Sequence, residues 1–207
     1  MIRLGVLISG SGTNLQAILD SIEKKTLDAE VAVVVSNKAD AFGLERAKRS
    51  GVSTAVVDHK KFADRSAFDA AVVDVLRAQR VQWVVLAGFM RIVTPTLLDA
   101  FPMKVINIHP ALLPSFPGAH AFKDALAYGV KISGCTVHLV DTGTDTGPIL
   151  AQAVVPVSED DDEVSLSKKT LMVEHQLLPR VLQWASEGRI SVEPGKAGER
   201  PRVRISA

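Results

Sequence analysis

The chain has 207 residues, 47% of them hydrophobic and 23% charged, and its 24 Lys and Arg against 23 Asp and Glu give a net charge of +1. That length and balance suit one sizeable core, or two lobes sharing a sheet, and exclude a disordered chain. The near-zero charge gives no basis for non-specific nucleic-acid binding, and the single cysteine, Cys135, excludes an intrachain disulfide and suits a reducing cytoplasm.

The first residues, MIRLGVLISGSG, carry no cleavage-site pattern and read as a first strand rather than a signal peptide. No run approaches the roughly 18 apolar residues of a membrane span. Residues 2–8 are near-continuously apolar, as in a central parallel strand covered on both faces. Ser9-Gly10-Ser11-Gly12-Thr13-Asn14 then turns into a helical stripe of Leu15, Ile18, Leu19 and Ile22. Strand, glycine-rich turn and helix form an anion-binding arrangement: backbone N–H groups and the helix dipole favour a phosphate. Leu15 stands where a dinucleotide fingerprint needs its third glycine, and there is no Gly-Lys-Ser/Thr. A phosphate on a small substrate fits the turn better than NAD or ATP, and a tight turn that binds nothing is the alternative.

Residues 31–35 form a second strand, followed by a loop and a helix stopped at Gly51. Residues 53–57 form a third strand, and His59, Lys60 and Lys61 read as a solvated turn. Ser66 is the expected N-cap of a helix to about Arg80, with Phe68, Ala71, Val72, Val75 and Leu76 as its apolar face. A fourth strand covers 82–88, and a short helix starts near Pro95. This alternation implies a doubly wound, mostly parallel, Rossmann-like α/β sheet, in which ligands gather at the C-terminal strand ends. The segment 88–91 lies at such an end.

In the next strand, 104–108, Val105, Asn107 and His109 point one way, and Pro110, Pro114 and Pro117 stiffen the loop beyond it. An amide beside a group that titrates near neutrality suits an oxygen that gains charge, although a strand end with two satisfied polar residues has the same pattern. A helix over 122–129 ends at Gly129. Residues 133–140 and 149–157 form an antiparallel pair across the acidic loop 141–148, so the sheet is mixed. Asp160, Asp161 and Asp162 read as dipole partners at the start of a last helix running to about 187, with a bend near Pro179, rather than as metal ligands. The tail from Glu193 to Ala207 reads as loose. His138 and Cys135 read as structural.

Five segments, SGSGTNLQAIL (9–19), SNKADAFGLERA (36–47), VVLAGFMRIV (84–93), INIHPALLPSFPG (106–118) and GCTVHLVDTGTDTGPIL (134–150), resemble in order and spacing the phosphoribosylglycinamide formyltransferase family of folate enzymes. The resemblance implies one formyltransferase domain over 1–190, with 1–100 as the phosphate and substrate half and 101–190 as the folate and catalytic half, and a tail over 191–207. It implies formyl transfer from 10-formyltetrahydrofolate to the amine of 5-phosphoribosylglycinamide in purine synthesis, by a cytoplasmic monomer or homodimer acting on small molecules without metal, nucleic acid or membrane. Asn107, His109 and Asp145 match the catalytic trio. Gly12, Thr13 and Asn14 match the phosphate turn, and Leu171, Met172, Val173 and Glu174 the segment facing ribose and glycinamide. Arg65 matches a contact to the glutamate end of the folate. Met90, Arg91, Ile92 and Val93, together with Asn107 and with Asp141, Thr142, Gly143, Thr144 and Asp145, match the folate site. Leu113-Pro114 matches a cis peptide bond.

The chemistry agrees with the resemblance. A neutral amine is itself a nucleophile, so no covalent one is needed. Asn107 and a protonated His109 can donate to the formyl oxygen, a carboxylate at Asp145 favours the charged imidazole, and Asp145 can carry the amine's proton, through water. The competing readings are a formyltetrahydrofolate hydrolase, a methionyl-tRNA formyltransferase and a non-catalytic phosphate-binding module. The first two resemble the chain only with an added domain, for which 207 residues leave no room.

Overall fold

A computed structural model describes residues 1–195 and 200–206. Five strands lead from the N-terminus: β1 (Ile2–Ile8), β2 (Ala29–Ser36), β3 (Thr54–Val56), β4 (Trp83–Leu86) and β5 (Val105–His109). All their pairings are parallel, β1 with β2 and β4, β2 with β3, and β4 with β5. The intervening helices are α1 (Thr13–Glu23), α2 (Phe42–Arg49), α3 (Arg65–Ala78) and α4 (Pro95–Ala100). After them come α5 (Ala121–Tyr128), the antiparallel pair β6 (Ile132–Leu139) and β7 (Ile149–Pro156), α6 (Glu163–Ser186), and a second antiparallel pair, β8 (Ile190–Glu193) with β9 (Arg202–Ile205). The seven-stranded sheet has the order β3-β2-β1-β4-β5-β6-β7. The fold is the expected doubly wound, mostly parallel α/β sheet with an antiparallel extension.

The chain divides into two units, Met1–Asn107 and Ile108–Ala207. In the first, β1 is apolar from Leu4 on because both its faces are covered there: Leu4, Val6, Leu7 and Ile8 are fully buried, with Leu15 and Ile18 of α1 and Phe68 and Leu76 of α3. Each such side chain contributes about 1.5–3 kcal/mol. In the second, Val137 and Leu139 of β6 and Leu166, Leu178, Val181 and Leu182 of α6 are the corresponding core. Gly51 and Gly129 follow α2 and α5 at φ of +70° and +79°, the left-handed geometry that ends a helix.

Three expectations need correction. The N-cap of α3 is Asp64, not Ser66: its carboxylate accepts from Ala67 N at 2.8 Å, the third helical amide, which a cap at 66 cannot serve. The fourth strand is shorter than 82–88, because Gly88 takes φ +74° and turns the chain. α6 contains Pro179 within its helical run. The tail is not uniformly loose: residues 202–205 alternate Arg-Val-Arg-Ile and pair with β8, while the part of that expectation covering 196–199 and 207 lies outside the described residues. The acids before α6 act as end-caps. Asp162 and Ser165 form a reciprocal capping box, and Asp161 accepts from Ser158 N, Ser165 Oγ and Lys169 Nζ.

Candidate active site

In the first unit, β1 delivers the chain into the glycine-rich turn. Gly12 is the N-cap of α1 at φ +70°, a conformation costly for residues with a Cβ, and an added Cβ would lie 2.6 Å from Gly43 Cα. The amides of the first turn of α1 have no carbonyl one turn behind them, which makes this end an anion cradle. Ser9, where β1 ends, donates to Asn37 Oδ1 at 2.6 Å and accepts from Met90 N at 2.9 Å. One hydroxyl thus ties the turn to the start of the segment 90–93.

That segment presents Met90 and Ile92 to solvent, at 71% and 54% exposure, and buries Val93. Its far end is held by Asp69 of α3, which accepts from both the amide and the hydroxyl of Thr94, the latter at 2.7 Å. Burial pushes the Asp69 carboxyl above the usual aspartate value; the Thr94 donors and the charges of Arg91 and Arg65 oppose this without overcoming it. Arg91 lies over the Phe68 ring at 5.0 Å, and Phe68 itself meets Phe62 and Phe89. Arg65 is the exposed first residue of α3. Arg65, Arg91 and the 90–93 loop therefore gather around one buried acid.

In the second unit, His109 is 4% exposed at the end of β5. Its Nδ1 is 3.3 Å from Asp145 Oδ2, the proximity expected of the pair. Its Nε2 is 2.8 Å from the Phe116 carbonyl oxygen. Acceptors on both sides are satisfied together only by the doubly protonated ring. The nitrogen expected to donate to a substrate oxygen is engaged by the chain's own carbonyl in this conformation. Asn107 is two residues earlier on the same strand and shares its face.

Asp145 is the hub. Its Oδ2 also accepts from Gly118 N at 2.8 Å, and its Oδ1 is 3.7 Å from His138 Nε2, an ion-pair separation rather than a close hydrogen bond. His138 Nδ1 lies 2.9 Å from the Leu139 carbonyl oxygen, so its other nitrogen is the one turned to the carboxylate. Burial works to raise the Asp145 carboxyl. The His138 ring, the Gly118 amide and the His109 charge together outweigh it and hold the group below the usual aspartate range. Asp145 itself sits at φ +54°. Its loop is knit internally: Asp141 Oδ1 accepts from Gly143 N and Thr146 Oγ1, and a Cβ at Gly147 would strike the Leu139 carbonyl oxygen. Thr142 and Thr144 are exposed. The Leu113-Pro114 bond is cis.

On α6, Glu174 is 4% exposed, whereas Met172 is 67% exposed and Leu171 and Val173 are half-buried. Cys135 is core: burial and the Glu174 charge push its thiol up to about 12. Among the described residues, no three His, Cys, Asp or Glu side chains are placed to share a metal ion, and no helix is long and apolar enough to cross a membrane.

Sequence reasoning missed Gly118, Asp69 and the contact of His138 with Asp145. The alternation of β6 puts His138 on one face with Thr136, yet both faces of that strand are buried, so alternation alone could not tell a spacer from a partner.

The formyl transferase family model matches residues 2–182. The chain is 40% identical to phosphoribosylglycinamide formyltransferase of Escherichia coli (strain K12), over 93% of this chain and 91% of that one. It is 45% identical to the trifunctional purine biosynthetic protein adenosine-3 of Gallus gallus over 96% of its own length, but spans only 20% of that relative. The crystal structure of glycinamide ribonucleotide transformylase 1 from Symbiobacterium toebii is similar with a TM-score of 0.96 and 50% identity, over 100% of this chain and 95% of that one. With the family model covering most of its length, and a bacterial relative matched nearly end to end, the chain belongs to the formyl transferase family.

Proposed function

We propose that this chain transfers the formyl group of 10-formyltetrahydrofolate to the amine of 5-phosphoribosylglycinamide, giving formylglycinamide ribonucleotide and tetrahydrofolate, a step of purine synthesis. The observation that carries this reading is the Asp145 carboxylate, kept ionised between two imidazoles while one of them, His109, stands buried at a strand tip two residues from Asn107. The folate supplies an activated one-carbon group to be attacked by the neutral amine. The 90–93 segment suits a flat pteridine: its backbone is pinned at Ser9 and Asp69, and it presents apolar Met90 and Ile92. Arg65 serves the acidic end of the folate, and the 141–145 loop, through its backbone, the rest of the ring.

In this reading Gly12, Thr13 and Asn14 hold the phosphate, and Glu174 with Leu171 to Val173 faces the ribose and glycinamide part. Asn107 Nδ2 and His109 donate to the formyl oxygen as charge develops there. Because His109 Nε2 is bonded to the Phe116 carbonyl, that donation requires an exchange of acceptors. Asp145 faces His109 Nδ1 and takes up the amine's proton, through water. Nothing in these steps calls for a metal, a nucleotide or a covalent intermediate. The 1–100 stretch acts as the phosphate half and 101–190 as the folate and catalytic half of one domain, in a cytoplasmic monomer or homodimer that does not engage nucleic acid.

The test is an assay of tetrahydrofolate release with phosphoribosylglycinamide as acceptor, set against water alone. Release that depends on the amine supports the transfer. Equal release with water alone converts the reading to a formyltetrahydrofolate hydrolase. No release, with phosphate binding retained, leaves a phosphate-binding module.

A further inference from the structure

The segment 36–47 belongs to the motif set, yet none of the roles above uses it. Its helix, α2, is where the structure spends two donors on the glycine-rich turn. Gly43 N donates to the Gly10 carbonyl at 3.0 Å, and Arg46 Nε, one helical turn later, donates to the Ser11 carbonyl at 2.9 Å. In a planar trans peptide the C=O and the following N–H point in opposite directions. Tying the Gly10 carbonyl to α2 therefore aims the Ser11 N–H away from α2, and tying the Ser11 carbonyl aims the Gly12 N–H away from Arg46. Two successive amides directed outward next to a left-handed Gly12 make an anion-binding nest at the start of α1. The same pinning removes two carbonyl dipoles that would repel a phosphate.

Arg46 is well placed to be rigid. Its Nη1 donates to Gln16 Oε1 on α1 at 3.2 Å, its guanidinium lies 5.0 Å from the Phe42 ring centroid, and its stem runs alongside Gly12. It bridges α1, α2 and the turn while bringing a permanent positive charge beside a site for a dianion. Gly43 must lack a side chain for this arrangement, since a Cβ there would sit 3.1 Å from Gly12 Cα and 2.5 Å from Ile8 Cδ1.

We propose that Arg46, with Gly43, is a positioning residue for the phosphate of the amine substrate, setting the direction of the Ser11 and Gly12 amides and adding charge behind them. This rests on the transfer reaction proposed above. The experiment measures both KM values, kcat, and competitive inhibition by inorganic phosphate for wild type, Arg46→Met and Arg46→Lys, with thermal melting as a check on folding. Arg46→Met should raise the KM for phosphoribosylglycinamide and the Ki for phosphate together by about tenfold, the weight of one lost charge-assisted contact. The KM for the folate should stay within about twofold. Arg46→Lys, which keeps the charge but not the planar fork, should recover part of the loss. Should Arg46→Met not fold, Arg46→Lys carries the same comparison of the two KM values, with a smaller shift expected. An unchanged Ki for phosphate, or equal rises in both KM values, overturns the role of Arg46. Absence of turnover in the wild type overturns the transfer reaction instead, and the phosphate affinity of the variants still decides the role of Arg46.

Discussion

Asp69 and Asp145 are two carboxylates withdrawn from water and treated in opposite ways. Asp69 faces the amide and hydroxyl of Thr94, with Arg91 and Arg65 contributing only through their charge, and burial leaves its carboxyl raised. Asp145 is also partly buried, but two imidazoles and a backbone amide converge on it and its carboxyl is lowered. Burial alone does not set the outcome; the number and charge of the donors do. The first arrangement is a clasp that fixes the 90–94 segment. The second maintains a negative charge that can stabilise an imidazolium and accept a proton.

The largest effect expected of this difference is at Asp145. Asp145→Asn keeps the shape and removes the charge, and kcat should fall by about 10³, within the usual range for a general acid–base group. Binding of a folate analogue, measured by calorimetry, should stay close to that of the wild type. Near-normal turnover would erase the functional half of the comparison. The same substitution should change acid stability. A native carboxyl held below the unfolded value of about 3.9 contributes stability that is complete above that pH and lost as pH falls through the lowered native value. Denaturant unfolding from about pH 6 down to pH 3 should be flatter for Asp145→Asn than for the wild type.

A smaller effect belongs to His138, whose ring comes first among the contacts that oppose burial at Asp145. His138→Gln retains a donor and removes the imidazole. The expected result is a loss of about tenfold in kcat, together with an acid limb of the kcat/KM profile displaced to higher pH, because burial is then less opposed. An unmoved acid limb would mean that Gly118 and His109 suffice, and that His138 is a spacer after all.

Much of this architecture is legible in the sequence because its signals are local. The apolar run 2–8, the turn 9–14 and the proline-bounded strand tip with Asn107 and His109 each announce themselves within a dozen residues. What escaped depends on partners distant in sequence. Asp69 follows Phe68 on the face shared with Val72, Val73 and Leu76, so a buried acid could have been inferred, but not that Thr94 answers it. Arg46 sits amid the charges of Glu45, Lys48 and Arg49, and nothing local separates it from a solvated helix face. In the tail, Gly and Pro precede the short period-two alternation of 202–205, which becomes a strand only by pairing with the equally short β8.

The smallest effects are expected at Asp69, where two substitutions separate the clasp from the charge. Asp69→Ala leaves the half-buried Thr94 amide and hydroxyl without their acceptor and should cost about 1–3 kcal/mol, with a rise of a few-fold in the KM for the folate as the 90–93 segment loosens. Asp69→Asn keeps an acceptor oxygen and should remain within about 1 kcal/mol of the wild type. The pH dependence has the sign opposite to that of Asp145. A native carboxyl raised above its unfolded value contributes stability that is complete below about pH 3.9 and is lost as pH rises through the raised native value. Asp69→Asn, which cannot ionise, should therefore gain on the wild type as pH increases through that interval, measured by melting in matched buffers. If Asp69→Asn instead lost as much as Asp69→Ala, the ionised carboxylate itself would be holding Thr94, through its charge toward Arg91 and Arg65, and the two acids would differ in degree rather than in kind.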